Sequence, residues 1–161
     1  MVAGNPPGDA AKRDRSRASI GPGCILRVFC DFIENPKLKF VVVLHVNNDE
    51  GLILVFIVNS EIPPFIEHDA HLRAGQILLE QNVYKFFTHD SFLNCTEVHY
   101  ELDIDFAVDH LIETPGDHKG ELRDAEKQKI IDSVRSAQTI TDEDKAIIIK
   151  SLQSVCNQKA S

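Results

Sequence analysis

The spacing of apolar residues changes character along the chain, and each change predicts a different element. The turn signal Gly21-Pro22-Gly23 opens an apolar, β-branched run from Cys24 to Ile33, which predicts a first strand closed by Asn35-Pro36. Lys39 to Val46 predicts a second strand, and its unbroken Val-Val-Val-Leu centre calls for burial on both faces. The polar stretch Asn47-Asn48-Asp49-Glu50-Gly51 predicts a hairpin loop, with Leu52 to Val58 returning as a third strand. Pro63-Pro64 is expected to bar regular structure. Shorter strands are expected within Gly75 to Glu80 and around Phe86 to Cys95.

Glu97 to Phe106 has the sharpest period of two: Val98, Tyr100, Leu102, Ile104 and Phe106 alternate with Glu97, His99, Glu101, Asp103 and Asp105. That alternation predicts a half-buried antiparallel strand with an acidic solvent face. Beyond it the period becomes helical. Leu122, Ala125, Ile130, Ile131 and Val134 form one stripe, and Ile147, Ile148, Leu152 and Val155 form another. Two overlapping Thr-x-x-Asp frames between them, Thr139 to Asp142 and Thr141 to Asp144, predict a helix start with acid in its first turn. The stripes make an αα-hairpin whose apolar faces must dock on the strands or on another chain. Closely spaced strands with no helix between them favour a small antiparallel β-barrel.

Charge divides the chain along the same lines. The net charge is -8, which excludes a generic nucleic-acid coating surface, because neutralising phosphates takes clustered Lys and Arg. Residues 1–20 carry four basic and two acidic side chains, residues 21–120 six and sixteen, and residues 121–161 seven of each. The deficit therefore lies wholly in the strand-rich part. Residues 1–20 have few large apolar side chains and are expected to form a flexible basic tail. The longest apolar run, Leu52 to Val58, is far short of the roughly 20 residues a membrane helix needs. No apolar stretch follows the N-terminal charges, so no secretory signal is expected. Cys24, Cys30, Cys95 and Cys156 show no paired spacing and are read as reduced thiols of a cytoplasmic protein.

Familiar catalytic patterns are absent. No phosphate-binding glycine loop of either common type occurs. Zero Trp and two Tyr argue against a sugar cleft. His68 and His71 have a metal-ligand spacing, yet no third ligand can be placed, so no metal site is assigned. His89-Asp90-Ser91 are adjacent on an extended chain and point to alternate faces, so they do not form a triad.

The order of segments is more informative. Gly21-Pro22-Gly23-Cys24-Ile25-Leu26-Arg27-Val28 opens a first strand, Lys37-Leu38-Lys39-Phe40 is a short basic loop running into the Val-rich strand, and a further strand ends in Val58-Asn59-Ser60. Phe86-Phe87-Thr88-His89-Asp90-Ser91-Phe92-Leu93-Asn94-Cys95 follows later. This layout, over roughly residues 20–106, resembles the PemK/MazF-like toxins of bacterial toxin–antitoxin modules, small SH3-like barrels related to CcdB.

The resemblance implies a dimeric, metal-independent endoribonuclease that needs no cofactor. An Arg before the second strand would stabilise the transition-state phosphate, and a Ser or Thr after the next strand would assist. Those positions fall on Lys39 and Ser60 as the implied catalytic pair. The chain departs from the pattern in having Lys39 for the arginine and Phe40 where proline is usual. Lysine offers a point charge without the bidentate fork. Arg27, Lys37 and His45 are the candidate substrate-binding residues, because RNA cleavage by 2′-hydroxyl attack needs acid, base and cation near the phosphate.

The expectation is thus a mainly β chain: a flexible tail over 1–20, an SH3-like antiparallel barrel over 21–115 and a helical hairpin over 120–158. The expected function is a growth-inhibiting endoribonuclease with RNA as substrate, an antitoxin or other protein as partner, a homodimeric state and no membrane association. The alternative is a non-catalytic barrel whose hairpin serves as an oligomerisation or partner surface.

Overall fold

A computed structural model describes residues 7–157. Three long strands, β1 (Cys24–Cys30), β2 (Lys37–Asn47) and β3 (Leu52–Asn59), form an antiparallel meander. Short strands complete it: β4 (Gln76–Leu79), β5 (Ser91–Asn94), β6 (His99–Asp103) and β7 (His118–Glu121). The order is β4-β5-β3-β2-β1-β7, with β6 also pairing β3. Beside β3, β6 pairs the first half (Leu52 to Val55) and β5 pairs the end (Val58 and Asn59). Because β3 exchanges one partner for another along its length, the sheet curls into a half-barrel.

Both faces of this sheet are covered, which is why β2 and β3 read as continuous apolar runs. On one face Leu26, Val28, Val41, Val43, Ile53 and Val55 pack with Ile104, Ala107, Val108 and Leu111 of helix α4 (Ile104–Glu113). On the other, Ile25, Val42, Leu44, Leu54, Phe56 and Val58 meet Tyr84 and Phe87 of the β4–β5 connection. Helices α5 (Asp124–Ser136) and α6 (Asp142–Asn157) cover this second face with Ile130, Ile131, Val134, Ile148 and Leu152. The predicted hairpin therefore exists, and its apolar stripes are buried on the chain's own sheet. A bulge at Leu44, between the Val43–Val55 and His45–Leu54 pairs, keeps Leu44 in this second core.

Several expectations are corrected. Helix makes up 42% of the described residues and strand 29%, so the chain is mixed α/β rather than mainly β. The segment expected as a flexible tail forms helix α1 (Pro7–Ser19) over its described part. Ala and Arg are good helix formers, and the helix is tied down by its own cations. Arg13 pairs with Asp109 and Asp105 of α4, Arg17 donates to Asn48 Oδ1 at 3.2 Å, and the His118 ring lies 2.8 Å from the Ser19 carbonyl. Residues 1–6 of that segment, and residue 158 of the expected hairpin, lie outside the described residues.

Pro63-Pro64 does not bar regular structure, because Pro64 opens the short helix α2 (Pro64–Glu67), where a missing N–H costs nothing. It is followed by α3 (Ala70–Ala74). The expected strand Glu97 to Phe106 stops at Asp103. The Asp103 carboxylate accepts the Phe106 N–H at 3.0 Å and starts α4, so Ile104 and Phe106 are helical.

Candidate functional site at the β1–β2 end of the sheet

β1 and β2 are in register, with Cys30 opposite Lys37, Val28 opposite Lys39 and Arg27 opposite Phe40. Since side chains alternate between faces, Lys37 and Lys39 share the face of α4 and Arg27 shares the opposite face with Phe40. Along β2 and β3, Val41 pairs with Ile57, so Lys39 comes opposite Asn59 two residues on. The Lys39 amine donates to Asn59 Oδ1 at 3.0 Å. Ser60, exposed, follows directly where β3 ends. The implied cation and hydroxyl therefore come from two adjacent antiparallel strands that finish side by side.

Partial burial lowers the Lys39 pKa, and the neighbouring Lys37 charge lowers it further. Beside it, Cys30 is fully buried, and desolvation pushes its thiol up to about 11 despite the nearby Lys39 charge. Cys24, likewise buried, rises to about 12, and Cys95 is also raised by burial. None of these three thiols is a thiolate nucleophile at neutral pH.

The other candidates are dispersed. Arg27 lies at the same end of the sheet as Lys39 but on the opposite face. His45 lies beyond the bulge, roughly 25 Å along β2 from Lys37, with Nδ1 2.8 Å from Ser151 Oγ of α6. Burial lowers its pKa. His68 and His71 are exposed, and the Asp69 carboxylate between them caps α3 by accepting the N–H groups of His71 and Leu72. Among the described residues no three His, Cys, Asp or Glu side chains are grouped to hold a metal. In His89-Asp90-Ser91, Nδ1 of His89 sits 2.7 Å from the Asp90 carbonyl and Asp90 Oδ1 accepts the Gln81 N–H, so no relay forms.

Charge supplies a further observation. Residues 21–120 hold six cations, and Arg27, Lys37, Lys39 and Lys119 belong to this end of the sheet. Lys37 and Lys39 lie on β2 and Arg27 on β1. Lys119 on β7 has its amine 5.9 Å from the Phe86 ring centre, and Lys85 precedes Phe86. Arg73 stands apart, donating to the Glu67 carbonyl. Among the described residues Arg27, Lys37, Lys39 and Lys85 have no carboxylate partner.

Reading the sequence alone does not reveal Asn59, Lys85, Lys119 or the exposed Phe29 in this cluster. Asn59 is joined to Lys39 by a hydrogen bond across paired strands and Lys119 to Phe86 by a ring contact, while Lys85 is next to Phe86 in sequence. Phe29 lies inside an apolar run that gives no sign of which members stay exposed. No helix is long and apolar enough to cross a membrane among the described residues. Compared with known proteins, the chain matches no family model and no curated sequence.

Proposed function

We propose that the chain is a metal-independent endoribonuclease of the PemK/MazF type, or a divergent relative, built on an SH3-like barrel. The observation that carries this reading is the Lys39–Asn59 contact, which ties the cation to the end of β3, the strand that Ser60 follows in sequence. In the proposed reaction the 2′-oxygen of a ribose bonds to the adjacent phosphorus and the bond to the 5′-oxygen breaks. The products are a 2′,3′-cyclic phosphate and a 5′-hydroxyl. Lys39 stabilises the charge developing on the phosphate, and Ser60 donates a hydrogen bond to it. The proton lost from the 2′-hydroxyl passes to solvent, and the leaving oxygen gains one from solvent. An antitoxin chain and a second copy of this chain are the partners that belong to this reading, and the cytoplasm is the compartment.

Purified protein incubated with unstructured RNA is expected to cut it, and induction in bacteria is expected to arrest growth. Lys39→Ala and Ser60→Ala should each reduce cutting by about 100-fold, the scale for losing one donor to a developing anion. Lys39→Arg retains the charge and supplies a fork. Because the Lys39 pKa is lowered, wild-type cutting should decline on the alkaline side before that of Lys39→Arg. Undiminished cutting by both alanine variants would overturn the assignment.

A further inference from the structure

Helix α1 turns a polar stripe toward the body of the protein. Lys12, Arg15, Ser16 and Ser19 recur at i, i+3, i+4 and i+7, the spacing at which a docked helix ordinarily carries apolar side chains. They line a cleft of about 360 Å³ together with Leu111 and Ile112 of α4 and Pro115 just beyond it. The helix is anchored by its other cations, Arg13 on Asp105 and Asp109 and Arg17 on Asn48. The polar groups of the cleft differ in what they already hold. Ser19 Oγ donates to the Ser16 carbonyl at 2.6 Å. His118, which also lines the cleft, donates from Nε2 to the Ser19 carbonyl and accepts the Gly120 N–H on Nδ1. The Ser16 hydroxyl, by contrast, is buried and has no hydrogen-bond partner, a state that buried polar groups rarely keep. Lys12 and Arg15 have no carboxylate partner among the described residues. Lys12 also borders a neighbouring cleft with Asp9, Asp109 and Glu113, so Arg15 is the cation that serves this one alone. No carboxylate lines it. Asp14, next to Arg15 in sequence, is exposed, and Asp117 is buried against His110 and Lys119.

We propose that this cleft binds a small amphipathic anion, a carboxylate on a short aliphatic chain. The carboxylate accepts the Ser16 O–H and meets Arg15, with Lys12 adding charge, while the chain lies on Leu111, Ile112 and Pro115. Each part follows from one feature of the cleft. Two cations without carboxylates and an orphaned buried donor select an anion, since hydrogen bonds to a charged acceptor are the strong ones. The apolar residues select the aliphatic chain, because a bare inorganic anion set against them would lose hydration without compensation. A cationic amphiphile has the right body and the wrong head. The inference stands apart from the ribonuclease reading, because none of these residues belongs to the β1–β2 end of the sheet.

Full-length protein labelled with nitrogen-15 is titrated with octanoate below its micelle-forming range, and amide chemical shifts are followed. Saturable shifts are expected at Ser16, Ile112 and His118. Octanol, octylammonium and inorganic phosphate each lack one part of the ligand and should bind about tenfold more weakly or fail to saturate. Arg15→Gln should weaken octanoate binding about fivefold, the upper end for a partly exposed ion pair, and Ser16→Ala about tenfold. Alanine is the better helix former, so Ser16→Ala keeps α1. Without ligand its thermal midpoint should rise, because the orphaned hydroxyl is gone. A higher midpoint joined to a lower affinity marks a hydroxyl kept for a ligand, which a merely structural serine would not show. Equal binding of octanol or octylammonium would leave only an apolar surface and overturn the proposal. Equal binding of inorganic phosphate would overturn it by removing the aliphatic part. Absence of saturable shifts at the cleft, or unchanged octanoate affinity in both variants, would overturn it as well.

Discussion

Lys127 is fully buried, with its aliphatic stem against Gly23. A Cβ on Gly23 would come within 2.7 Å of the lysine Cε, and φ there is +89°, so only glycine fits. The amine has Asp124 Oδ1 at 3.6 Å but no hydrogen-bond acceptor. A buried ammonium with one loose partner is poorly compensated for its lost hydration. Asp124 is about half exposed, so its carboxylate can return to water if the amine is removed. Lys127→Met should therefore stabilise the fold, on the order of 1–4 kcal/mol, read as a rise in thermal midpoint; a fall would show that the ammonium is better held than its contacts indicate. The adjacent network behaves oppositely. Tyr84 Oη donates to Glu126 at 2.5 Å and accepts the Arg123 N–H, while the Arg123 side chain grips both Glu126 oxygens at 2.7 and 2.9 Å. That pairing with Arg123 holds the Glu126 pKa below the usual carboxylate range. The stability it contributes is present above the ordinary carboxylate pKa and is lost as pH falls through the lowered one.

At the scale of elements, the junction of β6 and α4 shows how two periodicities share one stretch of chain. Leu102 is buried as the strand's inner face requires, although Tyr100, expected beside it, is exposed; Ile104, Ala107, Val108 and Leu111 recur as a helix requires. Ile104 satisfies both patterns, so alternation alone extends the strand too far. The Asp103 carboxylate on the Phe106 N–H decides where the change occurs. Asp103→Ala should cost about 1 kcal/mol and lower the thermal midpoint by roughly 2–4 °C; an unchanged midpoint would mean that packing, not the cap, starts α4. The meander β1–β3, the two short strands near residues 76–94 and the helical hairpin are all readable from their patterns. Helix α1 is not, because its polar composition offers no core stripe and its fixation comes from Arg13 on Asp105 and Asp109, residues remote in sequence.

For the whole molecule, the sheet is the middle layer and β2 and β3 contribute to both cores. Val41 and Val43 face α4, whereas Val42 and Leu44 face the hairpin. Neither core can come apart without disturbing strands that the other uses. A single cooperative unfolding transition is therefore expected. Far-ultraviolet circular dichroism should coincide with the near-ultraviolet aromatic signal, to which Tyr84, buried in the hairpin-side core, contributes. Leu44→Ala should lower stability by about 2–5 kcal/mol while keeping the two signals together; separated transitions would show two independent layers.

Sequence by itself determined the long strands, the hairpin loop, the hairpin helices and the acidity of the strand-rich segment, because each depends on neighbours within a few residues. It also singled out Lys39 and Ser60, through a resemblance in segment order. Tertiary structure alone decided that Lys39 meets Asn59, that Arg27 lies on the opposite face and that His45 lies far along β2. It also decided that Arg27, Lys37, Lys39 and Lys119, four of six cations in an acidic stretch, gather at one sheet end. Cross-strand register sets these outcomes, and a shift of one residue would send every side chain to the other face. Such pairings join positions widely separated along the chain, so no local pattern records them.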